Sequence, residues 1–275
     1  MSPEAPDFLR QMAERSRARA EEAKRSLPEA QLVARALQTP EPPRLRRTGH
    51  GFDLIAEIKL RSPAVGALKP VDESIDARAA TYAAAGAAAV SVLTEPSRFD
   101  GSMAHLESAV RALASAKVPA MRKDFLVDPY QVAEARLAGA GGVLIILRML
   151  ARPQLEALIA AARRLKLFAL LEAFDETDIE LSHRLLEAQG GEGLLVGVNC
   201  RDLVTLQVVP GRLEQLASLL PTSVPRVAES GVGTAADARS ASMAGYDMAL
   251  VGSALMKAGD PAVLARAMLE AGRKP

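Results

Sequence analysis

The chain has one cysteine, three histidines and no tryptophan in 275 residues. A lone thiol, Cys200, excludes an internal disulfide framework and any Cys-rich zinc site, and it suits a reducing compartment. The histidines, His50, His105 and His183, are scattered over an N-terminal linker and two helical stretches, which indicates neither a His metal cluster nor a Ser-His-Asp triad. Long apolar runs are missing too: no stretch approaches the roughly 18 residues that read as a membrane span, and the N-terminus lacks a signal-peptide core. There is little charge imbalance, since 34 Lys and Arg face 33 Asp and Glu. A net charge of +1 leaves no electrostatic footprint for nucleic acid or an anionic membrane. These absences predict a cytoplasmic protein with no nucleic-acid or membrane partner.

What is present describes a compact fold. Half the chain is hydrophobic (49%), enough to bury a core without disulfides or metals. From Ser2 to about Gln38 the sequence is rich in Ala, Arg and Glu, with Phe8, Met12, Leu32, Val33 and Leu37 as sparse apolar anchors, so helices are expected there. Pro40, Pro42 and Pro43 stop them. This basic segment reads as a helical extension over 1–48 that packs on a main domain over 49–275. Within that domain, apolar β-branched runs recur: Leu54–Ile58, Ala88–Leu93, Val118–Met121, Gly142–Leu147, Leu167–Leu171, Leu194–Val198, Val224–Ala228 and Met248–Val251. Most intervals hold a helical stretch such as Pro153–Leu165 or Ala235–Ala244. Eight βα units with near-continuous apolar strands predict a (β/α)8 TIM barrel, with a doubly wound open sheet as the alternative.

In such a barrel the working groups sit at the C-terminal ends of the strands. Polar residues collect there in six of the eight runs. Side chains alternate along a strand, so Glu57 and Lys59 share one face, Lys123 shares a face with Met121 while Arg122 and Asp124 lie opposite, and Asn199 points with Arg201. The fifth run ends in Glu172, the seventh in Glu229 and Ser230, and the eighth in Gly252 and Ser253. Charges crowded near a barrel axis are desolvated and coupled, the setting for acid–base work. Lysines beside carboxylates stay protonated, which casts Lys59 and Lys123 as general acids or anion clamps rather than Schiff-base nucleophiles. No histidine accompanies Cys200, which reads as a packing residue.

The turns after strands seven and eight, Ser230-Gly231 and Gly252-Ser253, match the usual phosphate cradle of these barrels. Residues Gly231 to Ala236 also fit the dinucleotide pattern G-x-G-x-x-A. That pattern belongs in a first βαβ unit followed by an acidic strand end, and here it lies late and is followed by Gly252-Ser253, so the phosphate reading is preferred.

The segments Ile55-Ala56-Glu57-Ile58-Lys59-Leu60-Arg61-Ser62-Pro63, Met121-Arg122-Lys123-Asp124-Phe125, Gly197-Val198-Asn199-Cys200-Arg201-Asp202-Leu203 and Ala228-Glu229-Ser230-Gly231 resemble the indole-3-glycerol phosphate synthase family. The resemblance extends to Val92-Leu93-Thr94-Glu95, Phe99-Asp100-Gly101-Ser102 and Val251-Gly252-Ser253-Ala254-Leu255-Met256, in order from about residue 50 to the end. It implies ring closure of 1-(2-carboxyphenylamino)-1-deoxyribulose 5-phosphate to indole-3-glycerol phosphate, with loss of carbon dioxide and water, and neither cofactor nor metal. It implies Lys123 as the general acid at the ribulose carbonyl, Lys59 at the carboxylate, and Glu172 and Glu57 as proton carriers in dehydration. Asn199, Arg201 and Glu229 would orient the substrate. Ser62, Phe99, Phe125 and Leu203 would contact it, with Phe99 against the aromatic ring, and Ser230, Gly231, Gly252 and Ser253 would hold the phosphate. A monomer or weak homodimer is expected.

The chain departs from the family pattern at Ala64-Val65, where many members carry a loop Ser-Lys, along Val204-Thr205-Leu206-Gln207-Val208-Val209, which lacks an acidic ending, and at Phe174, where a polar residue is common. Two other readings use the same scaffold. One is a different phosphate-binding barrel enzyme, such as the phosphoribosylanthranilate isomerase type or a paralogue with a changed substrate. The other is a non-catalytic barrel that binds a sugar phosphate.

Overall fold

A computed structural model describes residues 8–63, 66–68, 74–202 and 205–273. Eight parallel strands close into a barrel: β1 (Asp53–Ile58), β2 (Ala89–Leu93), β3 (Ala120–Lys123), β4 (Gly142–Ile146), β5 (Phe168–Ala173), β6 (Leu194–Asn199), β7 (Arg226–Glu229) and β8 (Met248–Val251). Each pairs with its sequence neighbours, and β1 pairs with both β2 and β8 to complete the ring. The eight-strand barrel reading holds and the open sheet does not. Strand starts fall within two residues of the expected positions, and β5 runs past Leu171 to include Glu172.

Period-two alternation sorts the strand residues onto two surfaces. Ile55, Ala89, Met121, Leu144, Ile146, Phe168, Leu170, Leu195, Val227, Met248 and Leu250 form an inner cluster. Leu54, Ala56, Ile58, Val90, Val92, Val143, Leu171, Val196 and Ala249 face the helices. The inner cluster is a packed plug rather than a pore. Gly142 is needed there, because a Cβ at that position would overlap the Phe168 ring.

Several turns that leave the strands' C-terminal ends are fixed by side-chain caps. Ser102 accepts from the His105 N–H (3.2 Å), Asp128 from Tyr130 (2.9 Å), Asp175 from Asp178 (3.1 Å) and Thr234 from Asp237 (3.1 Å). Such caps satisfy helix-end donors and hold the loops of one face in place. The opposite face carries its own lock. Asp53 accepts from the Thr48 N–H (3.0 Å), the Thr48 hydroxyl (2.6 Å) and Arg273 (3.0 Å), and Asp247 accepts from Arg47 (2.9 Å) and the Arg226 N–H (2.9 Å).

The extension forms two helices, Phe8–Ser26 and Glu29–Gln38. The first lies across the strand-end face, with Leu9 and Met12 buried in the inner cluster. Tyr130 donates to the Ala23 and Leu27 carbonyls at 3.0 and 2.9 Å, and Lys24 pairs with Asp128 at 2.6 Å. Of the expected anchors, Leu32 is buried but Leu37 is not. Leu37 is 51% exposed, because the packed face of the second helix runs through Leu32 and Ala36 instead.

Candidate active site

The C-terminal ends of the strands open into a cavity of about 400 Å³. Glu57, Lys59, Lys123, Glu172, Asn199 and Glu229 all line it, as do Ser62, Phe99, Phe125, Arg201, Ser230, Gly231, Gly252 and Ser253. Every expected site residue is therefore brought together except Leu203, which lies outside the described residues, as do Ala64, Val65 and Val204.

The charged groups form one linked cluster. Lys59 Nζ lies 2.7 Å from Glu57 Oε1. Lys123 Nζ lies 3.2 Å from Glu172 Oε1 and 3.5 Å from Glu229 Oε2. Glu172 Oε1 also accepts from Asn199 Nδ2 at 2.9 Å, and Asn199 Oδ1 accepts from the Arg201 N–H at 2.9 Å. Arg201 in turn donates to the Leu206 carbonyl at 2.6 Å. All three glutamates are buried, and two glycines make space for two of them. A Cβ on Gly252 would overlap Glu57 Oε1 and stand 3.0 Å from Lys59 Nζ, while one on Gly197 would overlap Glu229 Oε1.

Burial and neighbours push these groups apart. Burial would disfavour the charge on Lys123, but Glu172, Glu229 and Glu57 outweigh it and hold the ammonium protonated above the ordinary lysine range. Burial likewise opposes the Glu57 carboxylate, yet Lys59 and Lys123 hold its pKa below the usual value. Glu229 goes the other way, with burial and the adjacent Glu172 carboxylate raising it well above the usual range against the pull of Lys123. The cluster thus sets a cation and an anion beside a carboxyl that ionises less readily than usual, an arrangement suited to proton transfer.

Next to the cluster lie the turns after β7 and β8. Ser230 and Gly231 both adopt left-handed backbone, at φ 62° and 79°. For a serine this conformation costs about 1–2 kcal/mol, a strain of the kind found at ligand sites. Ser253 Oγ is buried without a hydrogen-bond partner. The far side of the cavity is apolar, with Phe99 and Phe125 6.1 Å apart between ring centroids.

The family model for indole-3-glycerol phosphate synthase matches residues 9–268. The chain belongs to the indole-3-glycerol phosphate synthase family. With the family comes its activity, a carboxy-lyase step of tryptophan biosynthesis. The chain is 44% identical over 222 residues to the indole-3-glycerol phosphate synthase of Parafrankia sp. (strain EAN1pec), covering 81% of this chain and 79% of that one. It is 40% identical over 248 residues to that of Opitutus terrae, covering 87% and 90%. Among solved structures it resembles a thiamine phosphate pyrophosphorylase from Pyrococcus furiosus, with a TM-score of 0.59 at 16% identity over 80% of this chain and 95% of that one. It also resembles an orotidine 5'-phosphate decarboxylase from Pyrococcus horikoshii OT3, at 0.56 and 16%, covering 82% and 100%. At that identity the two structures speak for the fold alone.

The synthase cavity has walls that were not singled out from the sequence. Phe8 and Leu9 reach in from the extension, and Phe8 meets Phe125 edge-on at 5.8 Å. Only the apolar character of these residues was legible, not their destination. Asp237 also lines the wall and accepts from the Gly233 and Thr234 N–H groups, both at 2.9 Å. Its signal was present as the third residue after a Thr cap, a capping-box spacing. Phe174, one of the departures, forms buried apolar wall under the Arg148 guanidinium, 4.7 Å from its ring centroid. Cys200 is buried behind the site, and burial pushes its thiol up to about 11, so it packs rather than reacts. Among the described residues no group of His, Cys, Asp and Glu could hold a metal ion, and no helix is long and apolar enough to cross a membrane.

Proposed function

We propose that this site closes the pyrrole ring of 1-(2-carboxyphenylamino)-1-deoxyribulose 5-phosphate with Lys123 as the general acid. The observation that carries the reading is Lys123 Nζ held between Glu172 and Glu229 at 3.2 and 3.5 Å, protonated and facing the cavity. An ammonium so placed donates to the ribulose carbonyl as the anthranilate ring carbon attacks it. Lys59 offers a second cation for the substrate carboxylate until carbon dioxide leaves.

Dehydration then needs a proton removed and a hydroxyl expelled as water. Glu57, kept anionic by its lysines, and Glu172, fixed by Asn199, are the carriers. Glu229, whose ionisation burial and Glu172 oppose, orients the intermediate by hydrogen bonding, together with Asn199 and Arg201. The phosphate rests on Ser230, Gly231, Gly252 and Ser253, where the unpartnered Ser253 hydroxyl gains an acceptor. Phe99 and Phe125 cover the aromatic ring, and Ser62 and Leu203 supply further contacts to the substrate.

The residues themselves supply an acid, a base and an anion cradle without a metal or cofactor. A lone buried thiol fits a cytoplasmic setting, and the protein is a monomer or weak homodimer in this reading. The test is the appearance of indole fluorescence from the carboxyphenylamino-deoxyribulose phosphate, with EDTA present, for the wild type and Lys123→Ala. Metal-independent product from the wild type, reduced by about 10²–10⁴ in the variant, is the expected result. A silent, folded wild type would overturn the assignment, and an unimpaired variant would remove Lys123 from the role of acid.

A further inference from the structure

We infer that Arg19, on the first helix of the extension, is a positioning residue that sets both Lys123 and Phe99 through two buried carboxylates. The inference rests on the reading of Lys123 as the acid. Arg19 Nη2 donates to Asp124 Oδ1 at 2.7 Å, and its other terminal nitrogen lies 3.6 Å from Glu95 Oε1. Both carboxylates are almost wholly buried, whereas the Arg19 side chain is about one-third exposed.

Each carboxylate governs one wall of the cavity. Asp124 follows Lys123 directly, on the opposite face of the strand end. It accepts from Thr94 Oγ1 (2.8 Å), Arg122 Nη2 (3.3 Å) and the Phe125 N–H (2.8 Å). Arg122, on the other side of Lys123, is pinned in turn to the Gln131 carbonyl at 2.8 Å and to Glu134 at 3.0 Å. With both chain neighbours anchored behind it, the backbone that carries the lysine cannot shift without breaking buried charge-assisted bonds. Glu95 accepts from the Ser97 and Arg98 N–H groups at 3.0 and 2.7 Å and so builds the short helix Pro96–Phe99 that carries Phe99 to the cavity.

A guanidinium that reaches both carboxylates ties the turns after β2 and β3 to one another and to the helix above them. Its removal leaves Asp124 three donors, Thr94 of the turn after β2 among them, and leaves Glu95 its cap, so the fold survives while both turns lose their tie to the helix. Displacement of a reacting group by about 1 Å can cost two decades of rate.

Arg19→Ala is to be compared with Arg19→Lys and with Lys24→Ala, which removes a different ion pair of the same helix whose partner, Asp128, does not line the cavity. Arg19→Ala is expected to lower kcat/KM by about tenfold or more, through kcat for Lys123 and through KM for Phe99. Arg19→Lys recovers part of it, and Lys24→Ala keeps wild-type kcat/KM despite a comparable drop in Tm. Losses in Arg19→Ala and Lys24→Ala that simply follow Tm, or an unchanged Arg19→Ala, overturn the inference. A wild type without turnover would instead defeat the reading beneath it. In that event a crystal structure of Arg19→Ala decides, since an unmoved Lys123 and Phe99 refute the positioning role and a shift of either upholds it.

Discussion

Gly197 and Glu229 occupy adjoining strands inside the barrel so closely that a Cβ on the glycine would overlap the carboxylate oxygen Oε1. The glycine is retained for space rather than for an unusual backbone angle, since its φ is not in the left-handed region. Gly197→Ala is therefore expected to push Glu229 toward Lys123, at an overpacking cost of about 1–3 kcal/mol. Turnover should fall further than stability does. Steady-state kinetics beside a thermal melt checks this, and an alanine variant with wild-type kcat/KM would show that Glu229 has room to spare.

Glu229 also gives the protein a pH signature. Its folded pKa is raised above the ordinary 4.5 by burial and by Glu172, so its contribution to stability is complete below about pH 4.5 and is lost as pH rises toward the folded pKa. Glu229→Gln has the shape of the neutral acid and no proton to lose. The variant should melt at the wild-type temperature near pH 4.5 and progressively above it as pH rises, with each kcal/mol worth about 2–4 °C at this size. Melts from pH 4.5 to 8.5 give the comparison, and a gap that stays constant with pH contradicts the raised pKa.

The Ser253 hydroxyl is buried and unpartnered. If it is filled by substrate phosphate, Ser253→Ala should raise KM by about tenfold or more while kcat stays near wild type, because a bond to a charged group is worth about 1.5–3 kcal/mol and is made before and during the reaction alike. Inhibition by inorganic phosphate should weaken by a similar factor. Equal phosphate inhibition in both proteins would take Ser253 out of the cradle.

Cys200 sits close to the site but is chemically quiet. With its thiol pushed up to about 11, it should resist Ellman's reagent at pH 8 in the folded protein and react fully once the chain is denatured. Cys200→Ser should leave turnover unchanged. Rapid modification of the native protein would mean that the wall behind Gly231 opens.

The barrel and most of its chemistry were legible because both follow from local rules. Eight apolar runs at βα spacing imply the closed sheet, and alternation along Ala56-Glu57-Ile58-Lys59 and Met121-Arg122-Lys123-Asp124 already sends Glu57, Lys59 and Lys123 to the mouth. What alternation does not convey is distance along the chain. The Arg19 to Asp124 bond joins residues 105 positions apart, and nothing around Arg19 distinguishes it from Arg15 or Arg17 on the same helix. Leu37 failed for a related reason, since a short apolar sequence does not state which of its side chains meets a neighbour.

The lock at the far end of the barrel, where Asp53 holds Arg273 and Asp247 holds Arg47 and Arg226, shares no residue with the cavity. An ion-paired lock and the reactive cluster thus stand on opposite rims of one ring. A laboratory evolution campaign restricted to the Asp53 rim can harden the scaffold first and leave the other rim free to absorb the destabilising changes that a new substrate would demand.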